Sequence, residues 1–221
     1  MGIYKYSFYN SPNIGIFVKC NDSLIILPFG FAPTKTKKLM NYLELSNKVN
    51  TSIGGTRLIG PMIAINNNGI LVPSTTSDEE IDVLKQASGI NVEKLNSKYT
   101  AIGNLIAVND HGAIVSPILK DVSKQIQNAL DIPIHVMTIS GFIQTGTIIV
   151  PSNSGAIVHP NATDEEIKTI SDVLHVDVEP ATINGGIPFL SSGIIVNSKS
   201  LIVGNLTSGP ELIMLSRAFK M

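Results

Sequence analysis

The sequence predicts an α/β fold: five pseudo-symmetric ββαβ repeats closed into a ring, within a single domain spanning residues 1–221. Three observations point to it. Short β-branched runs recur with a period of about 44 residues, the signature of stacked identical units. Each run is followed by a segment with helical apolar spacing. Finally, the chain offers an extra strand at its start and lacks one at its end.

The period is clearest in NGILVP (68–73), HGAIVSP (111–117) and SGAIVHP (154–160), which align through Gly69, Gly112 and Gly155, each 43 residues from the next. DSLIILP (22–28) holds the same slot upstream and KSLIVG (199–204) downstream, giving five copies. Each copy starts from a glycine ahead of an apolar run: Gly15, Gly60, Gly103, Gly146 and Gly193. Turn formers such as Asn67, Asn68, Asn109, Asp110, Ser152 and Asn153 separate that run from the next, which predicts a hairpin at the head of every unit.

A helix follows each hairpin. Ser77 with Glu80, Thr163 with Glu166, and Ser208 with Glu211 have the spacing at which hydroxyl and carboxylate reciprocally satisfy free amide groups of a first turn. Behind them apolar residues recur at helical intervals: Ile81, Leu84 and Ala87; Val122, Ile126 and Ala129; Ile167, Ile170 and Leu174; Leu212, Leu215 and Phe219. A third strand is predicted in VNTSI, INVEKL, IPIHVMTI and VDVEPATI. The fifth unit has none, because Met221 follows its helix directly; IYKYSF (3–8) is the strand left to complete it. Pairing the first strand into the last unit closes the ring and removes exposed sheet edges.

Composition narrows the function classes. Of 221 residues, 43% are hydrophobic and 15% charged, with a net charge of −1, so a surface-wide attraction for nucleic acid is not expected and any RNA contact must be local. Only Arg57 and Arg217 are arginines and Trp is absent, which limits phosphate forks and base-stacking platforms. No run approaches the roughly 18 apolar residues of a membrane helix, and MGIYKYSFYN lacks a secretory pattern, so a cytoplasmic protein is expected. The lone Cys20 excludes an internal disulfide and a Cys-based zinc site, and His111, His135, His159 and His175 lack ligand spacing. The pairs Gly54–Gly55 and Gly185–Gly186 open no phosphate-loop motif and read as tight turns.

A five-fold repeat of this unit resembles the pentein β/α propeller, shared by arginine-modifying enzymes and by translation initiation factor 6. The runs TRLIGPM (56–62), GILVPSTTSDEE (69–80), AIGNLIAVNDHGAIVSP (101–117) and GAIVHPNATDEE (155–166) resemble the initiation-factor family, and the similarity extends over essentially the whole chain. That resemblance implies a non-enzymatic translation factor, monomeric, that binds the large ribosomal subunit, touching a ribosomal protein and neighbouring RNA, and keeps the small subunit from joining. It also implies no nucleotide, metal or small-molecule substrate, and leaves a role in large-subunit maturation open. The chain stops after the last helix without the tail of eukaryotic members, so tail-dependent regulation is not expected.

Two alternatives come from the same fold. A guanidine-modifying enzyme would resemble its relatives in a nucleophilic Cys near the C-terminus; here the fifth unit has none, and Cys20 at a strand end reads as an inert buried thiol. A ring-shaped RNA- or protein-binding scaffold is the other.

Candidate binding residues are sought in the inter-unit turns. Arg57 in TRLIG and Asn104 in IGN hold equivalent places in the second and third units, where similar family members carry residues that affect ribosome binding; an ion pair for Arg57 and a turn cap for Asn104 are the structural alternatives. Lys35, Lys37 and Lys38 form the one dense basic cluster. They sit at a helix start, where positive charge opposes the macrodipole, so they are either a solvated face or a contact for ribosomal RNA phosphates.

Overall fold

The computed structural model describes residues 2–221. Fifteen strands form five separate three-stranded sheets, one per repeat, in a pentein-like arrangement. The first unit contributes β2 (Lys19–Cys20), β3 (Leu24–Pro28) and β4 (Asn47–Thr51); the second β5 (Ala64–Ile65), β6 (Gly69–Pro73) and β7 (Asn91–Leu95). The third holds β8 (Ile106–Val108), β9 (Ala113–Val115) and β10 (Ile134–Val136), and the fourth β11 (Ile149–Pro151), β12 (Ala156–Val158) and β13 (Val178–Pro180). In the fifth, β14 (Ile194–Val196) and β15 (Ser200–Gly204) are joined by β1 (Gly2–Tyr6), which runs parallel to β15 from Gly2↔Ser200 to Tyr6↔Gly204.

In every sheet the middle strand pairs antiparallel with its hairpin partner and parallel with the third strand. In the first four units the parallel pairing requires a crossover, which a helix supplies. These are α1 (Pro33–Leu43), α3 (Asp78–Ser88), α4 (Ser123–Leu130) and α6 (Asp164–Leu174); α7 (Gly209–Phe219) holds the same place after β15, whose parallel partner β1 comes from the start of the chain, and two further single turns, α2 (Ile59–Met62) and α5 (Thr145–Ile148), lie ahead of hairpins. Ser77 and Thr163 accept from the backbone of Glu80 and Glu166, whose carboxylates accept from the capping residues' N–H groups, so both boxes form as the spacing predicts. At α7 the Ser208 amide and hydroxyl both donate to Glu211.

Each crossover helix packs on the sheet of the preceding unit: α3 on β4, α4 on β6 and β7, α6 on β9, and α7 on β12 and β13. Helix α1 packs on β15, so the circuit of contacts passes from the first unit back to the fifth, where Leu39 and Leu43 share a core with Phe8, Ile195 and Ile202. Among the described residues no sheet closes on itself. The units are joined by side chains, and each helix shares a buried core with an adjoining sheet.

The aligned glycines that begin or immediately precede the middle strands have a packing reason. A Cβ on Gly69 would stand 2.0 Å from the Ala129 carbonyl oxygen of α4, and one on Gly155 would stand 1.8 Å from that of Ala218 in α7. The next unit's helix therefore rests on bare backbone. Its end is also capped from the hairpin, because Asn66 and Asn109 donate through Nδ2 to the carbonyls of Leu130 and Leu174.

The glycines ahead of the hairpins differ from the sequence expectation in two ways. They sit in short helical turns (Ile14–Ile16, α2, Ile102–Asn104, α5 and Leu190–Gly193), the first four of them three or four residues before the strand. In the fifth unit Ser191, and not Gly193, takes the equivalent place: its carbonyl receives Gly15 as those of Gly15, Gly60 and Gly103 receive Gly60, Gly103 and Gly146.

Opposite these turns, the hairpin tips meet in a polar collar. The Asn67 and Asn153 amides each donate to the Oδ2 atoms of both Asp22 and Asp110, and Ser198 donates to Asp22 from its N–H and its hydroxyl. Partial burial opposes ionisation of Asp22, but these hydrogen bonds outweigh it and hold the carboxyl below the usual range.

Candidate functional site

The third strands leave their sheets on the side away from the collar, through tight turns bridged by Phe8↔Ser11, Ile53↔Thr56, Ile139↔Phe142 and Ile183↔Ile187. The central residues of these turns have positive φ: 60° and 73° at Gly54 and Gly55, but 52° and 59° at Tyr9 and Asn10. Glycine adopts that conformation freely, whereas a bulky aromatic there costs on the order of 1–2 kcal/mol. Tyr9 is thus held out from the surface, 56% exposed, in a conformation its neighbours must sustain.

The crossover helices fix these turns from beneath. Glu80 accepts from the N–H groups of Gly54 (2.8 Å) and Gly55 (3.0 Å) and from the Ser52 hydroxyl, in addition to its own cap. Glu166 accepts from Ser140, and Glu211 from Gly185, Gly186 and Thr182. Burial alone would raise the Glu211 pKa; the donors from Ser208, Gly186 and Gly185 prevail and bring it down to about 2. Glu80 is lowered by the same balance. Three capping glutamates are therefore also staples between a helix and the preceding unit's exit turn.

Around Tyr9 the exit-turn side carries cations on aromatic rings. The Arg57 Nη2 donates to the Tyr9 hydroxyl at 2.8 Å, its guanidinium lies 5.9 Å from the ring centroid, and Lys35 approaches the same ring at 5.6 Å. Lys38 lies between Tyr6 (5.3 Å) and Tyr42 (5.5 Å), with Tyr42 stacked on Tyr4 at 4.0 Å. Lys37 is exposed. The tyrosines account for lysines at the wrong end of a helix dipole: cation–π attraction of about 0.5–1 kcal/mol at exposed sites offsets a conflict of similar size. Beyond this cluster the exposed apolar residues Leu58, Ile143, Ile187 and Phe189 follow the other exit turns.

Of the residues singled out in the sequence, Arg57, Lys35 and Lys38 come together on this aromatic group. Arg57 makes no carboxylate ion pair among the described residues; its partner is Tyr9. Asn104 ends the turn Ile102–Asn104 and lines an opening on the pseudo-five-fold axis together with Gly60, three residues after Arg57. Sequence reasoning missed Tyr9. Aligning the exit turns would have found it, since Tyr9–Asn10 stands where Gly54–Gly55 stands one unit later.

Among the described residues the site brings no nucleophile and base together. Cys20 is buried and donates to the Val196 carbonyl, and burial, partly offset by neighbouring Lys19, pushes its thiol up to about 12. Burial likewise lowers His159, whose Nδ1 accepts from the Asn161 N–H. Among the described residues no cluster of His, Cys, Asp and Glu could hold a metal, and no helix is long and apolar enough to cross a membrane.

The model of the eIF-6 family matches residues 3–218. The chain belongs to the eIF-6 family. Curated relatives named translation initiation factor 6 include those of Cenarchaeum symbiosum, 46% identical over 220 residues, and Nitrosopumilus maritimus, 48% identical over 220 residues, each match covering 99% of both chains. The factor of Pyrococcus abyssi is 35% identical over 224 residues, covering 99% of this chain and 98% of that one. Among solved structures, C. jejuni agmatine deiminase aligns with a TM-score of 0.44 at 14% identity, over 71% of this chain and 59% of its own. Membership of the eIF-6 family gives the chain a translation-factor role and places it in a non-enzymatic family.

Proposed function

We propose that this chain binds the large ribosomal subunit through its exit-turn face and, by occupying that surface, keeps the small subunit from joining. The observation that carries the reading is the solvent-facing group of Arg57, Tyr9, Lys35 and Lys38 on a chain that the eIF-6 model matches over residues 3–218. Arginine and tyrosine are the residues that dominate protein interfaces, and here they are preorganised on a strained turn that limits the entropy lost on docking. Arg57, Tyr9 and Asn104 face a ribosomal protein, and Lys35, Lys37 and Lys38 face phosphates of adjacent RNA. The exposed apolar residues beside the other turns extend the contact toward the roughly 800 Å² that a standard interface takes from one partner. The factor works as a cytoplasmic monomer, one domain of five repeats, without cofactor; its mechanism is occupancy, and the same occupancy suits a part in large-subunit maturation.

Sedimentation of the purified chain with separated subunits tests the binding. Wild type is expected to migrate with the large subunit alone, and Arg57→Ala to weaken binding at least tenfold, about 1.4 kcal/mol or more. Migration with neither subunit at moderate salt, or equally with both, contradicts the reading.

A further inference from the structure

On the exit-turn side a cavity of about 220 Å³ opens on the axis, lined by Lys19, Asn104, Thr147, Phe189 and Ser191 among others. A narrower space of about 50 Å³ continues inward past Lys19 and Cys20. It ends at the collar, where Asp22 and Asp110 are already engaged by Asn67, Asn153 and Ser198.

The pseudo-symmetry singles out Lys19. It pairs with Ile26 in the register at which Ala64, Ala107, Val150 and Ile195 pair with Leu71, Ile114, Ile157 and Ile202. Four units place an apolar residue here, and the first places an ammonium. Among the described residues Lys19 has neither an ion-pair partner nor a hydrogen bond. Its neighbour Cys20 is a neutral thiol, and burial holds the Lys19 amine below its ordinary range. Lys19 is half-buried, and partial withdrawal of a cation from water without a counter-ion is unfavourable. Two more groups on the same wall are unengaged among the described residues: the Asn104 side-chain amide and the Ser191 hydroxyl. Residues carrying one charge and two neutral donors thus line one space with room for an anion and part of its water.

We propose that the outer axial cavity is an anion-binding site, with Lys19 supplying the charge and Asn104 and Ser191 the flanking donors, for a free oxyanion or carboxylate of phosphate size or smaller. The site is a property of the isolated chain and does not depend on the ribosome reading.

The test follows the Lys19 side-chain NMR resonance of the isolated wild-type protein while inorganic phosphate, and separately acetate, is titrated at constant ionic strength. A saturable shift with a midpoint of roughly millimolar order is expected. Ser191→Ala should raise the midpoint several-fold, and the distant surface change Lys168→Gln should leave it within about twofold. Lys19→Met, which matches the apolar residues of the other units, should abolish phosphate-dependent thermal stabilisation. A Lys19 resonance unmoved up to about 50 mM of either anion overturns the proposal. Equal stabilisation of wild type and Lys19→Met by phosphate overturns it too, and assigns the effect to surface lysines; if that variant fails to fold, the wild-type resonance decides alone.

Discussion

Glu211 caps α7 at Ser208 and also holds the amides of Gly185 and Gly186 in the turn before the fifth hairpin. Its spacing from Ser208 told of the first role. The second was not legible, because those partners lie 25 and 26 residues away and only the folded crossover brings them together. The ionised carboxylate is the form bound, so the sign is fixed: with its pKa lowered to about 2, Glu211 contributes stability above the ordinary carboxylate value and loses it as pH falls toward 2. Glu211→Gln should lower unfolding free energy by about 2–3 kcal/mol at pH 7, with the gap to wild type narrowing as pH falls below about 4.5. Urea unfolding across that range checks it; a constant gap would mean the charge is not what binds. Tyr9 carries a similar lesson. Its left-handed backbone was invisible in the sequence, because local preference argues against it and only Arg57, Lys35 and Phe17 around it sustain it.

Among the elements, the short turns before the hairpins depart most from expectation. The sequence marked their glycines as strand starts, because a glycine before an apolar run signals both a turn and a close approach. Packing decides for close approach: a Cβ on Gly103 would lie 2.3 Å from the Gly60 carbonyl oxygen and 2.5 Å from that of Ile63. Backbone cannot yield as a side chain tip can. Gly103→Ala should therefore cost about 3 kcal/mol or more, whereas Gly209→Ala, at a helix start with open space around it, should be nearly neutral. Denaturant midpoints of the two variants separate the cases, and equal midpoints would remove the glycine stacking from the account. The crossover helices, by contrast, were legible in their capping boxes and apolar spacing, since both signals are local.

For the molecule as a whole, the repeat period and the unpartnered first strand were enough to anticipate five three-stranded sheets. The collar was not, because Asp22, Asn67, Asp110, Asn153 and Ser198 each look like ordinary turn residues and acquire partners only when five hairpin tips converge. Two carboxylates share two side-chain amides there, so removing one amide takes a donor from both Asp22 and Asp110 at once. Asn153→Ala should destabilise the fold by about 2 kcal/mol, read from its thermal midpoint; a change under about 0.5 kcal/mol would mark the collar as incidental. At the opposite end of the axis, the cations on tyrosines form the surface on which the functional account rests. That account is tested most directly by subunit joining, followed by light scattering as the two ribosomal subunits are mixed with increasing amounts of the chain. Wild type should suppress joining at a ratio near one per large subunit, and Arg57→Ala should require at least tenfold more. Joining that proceeds unaffected while wild type is bound to the large subunit would contradict occupancy as the mechanism.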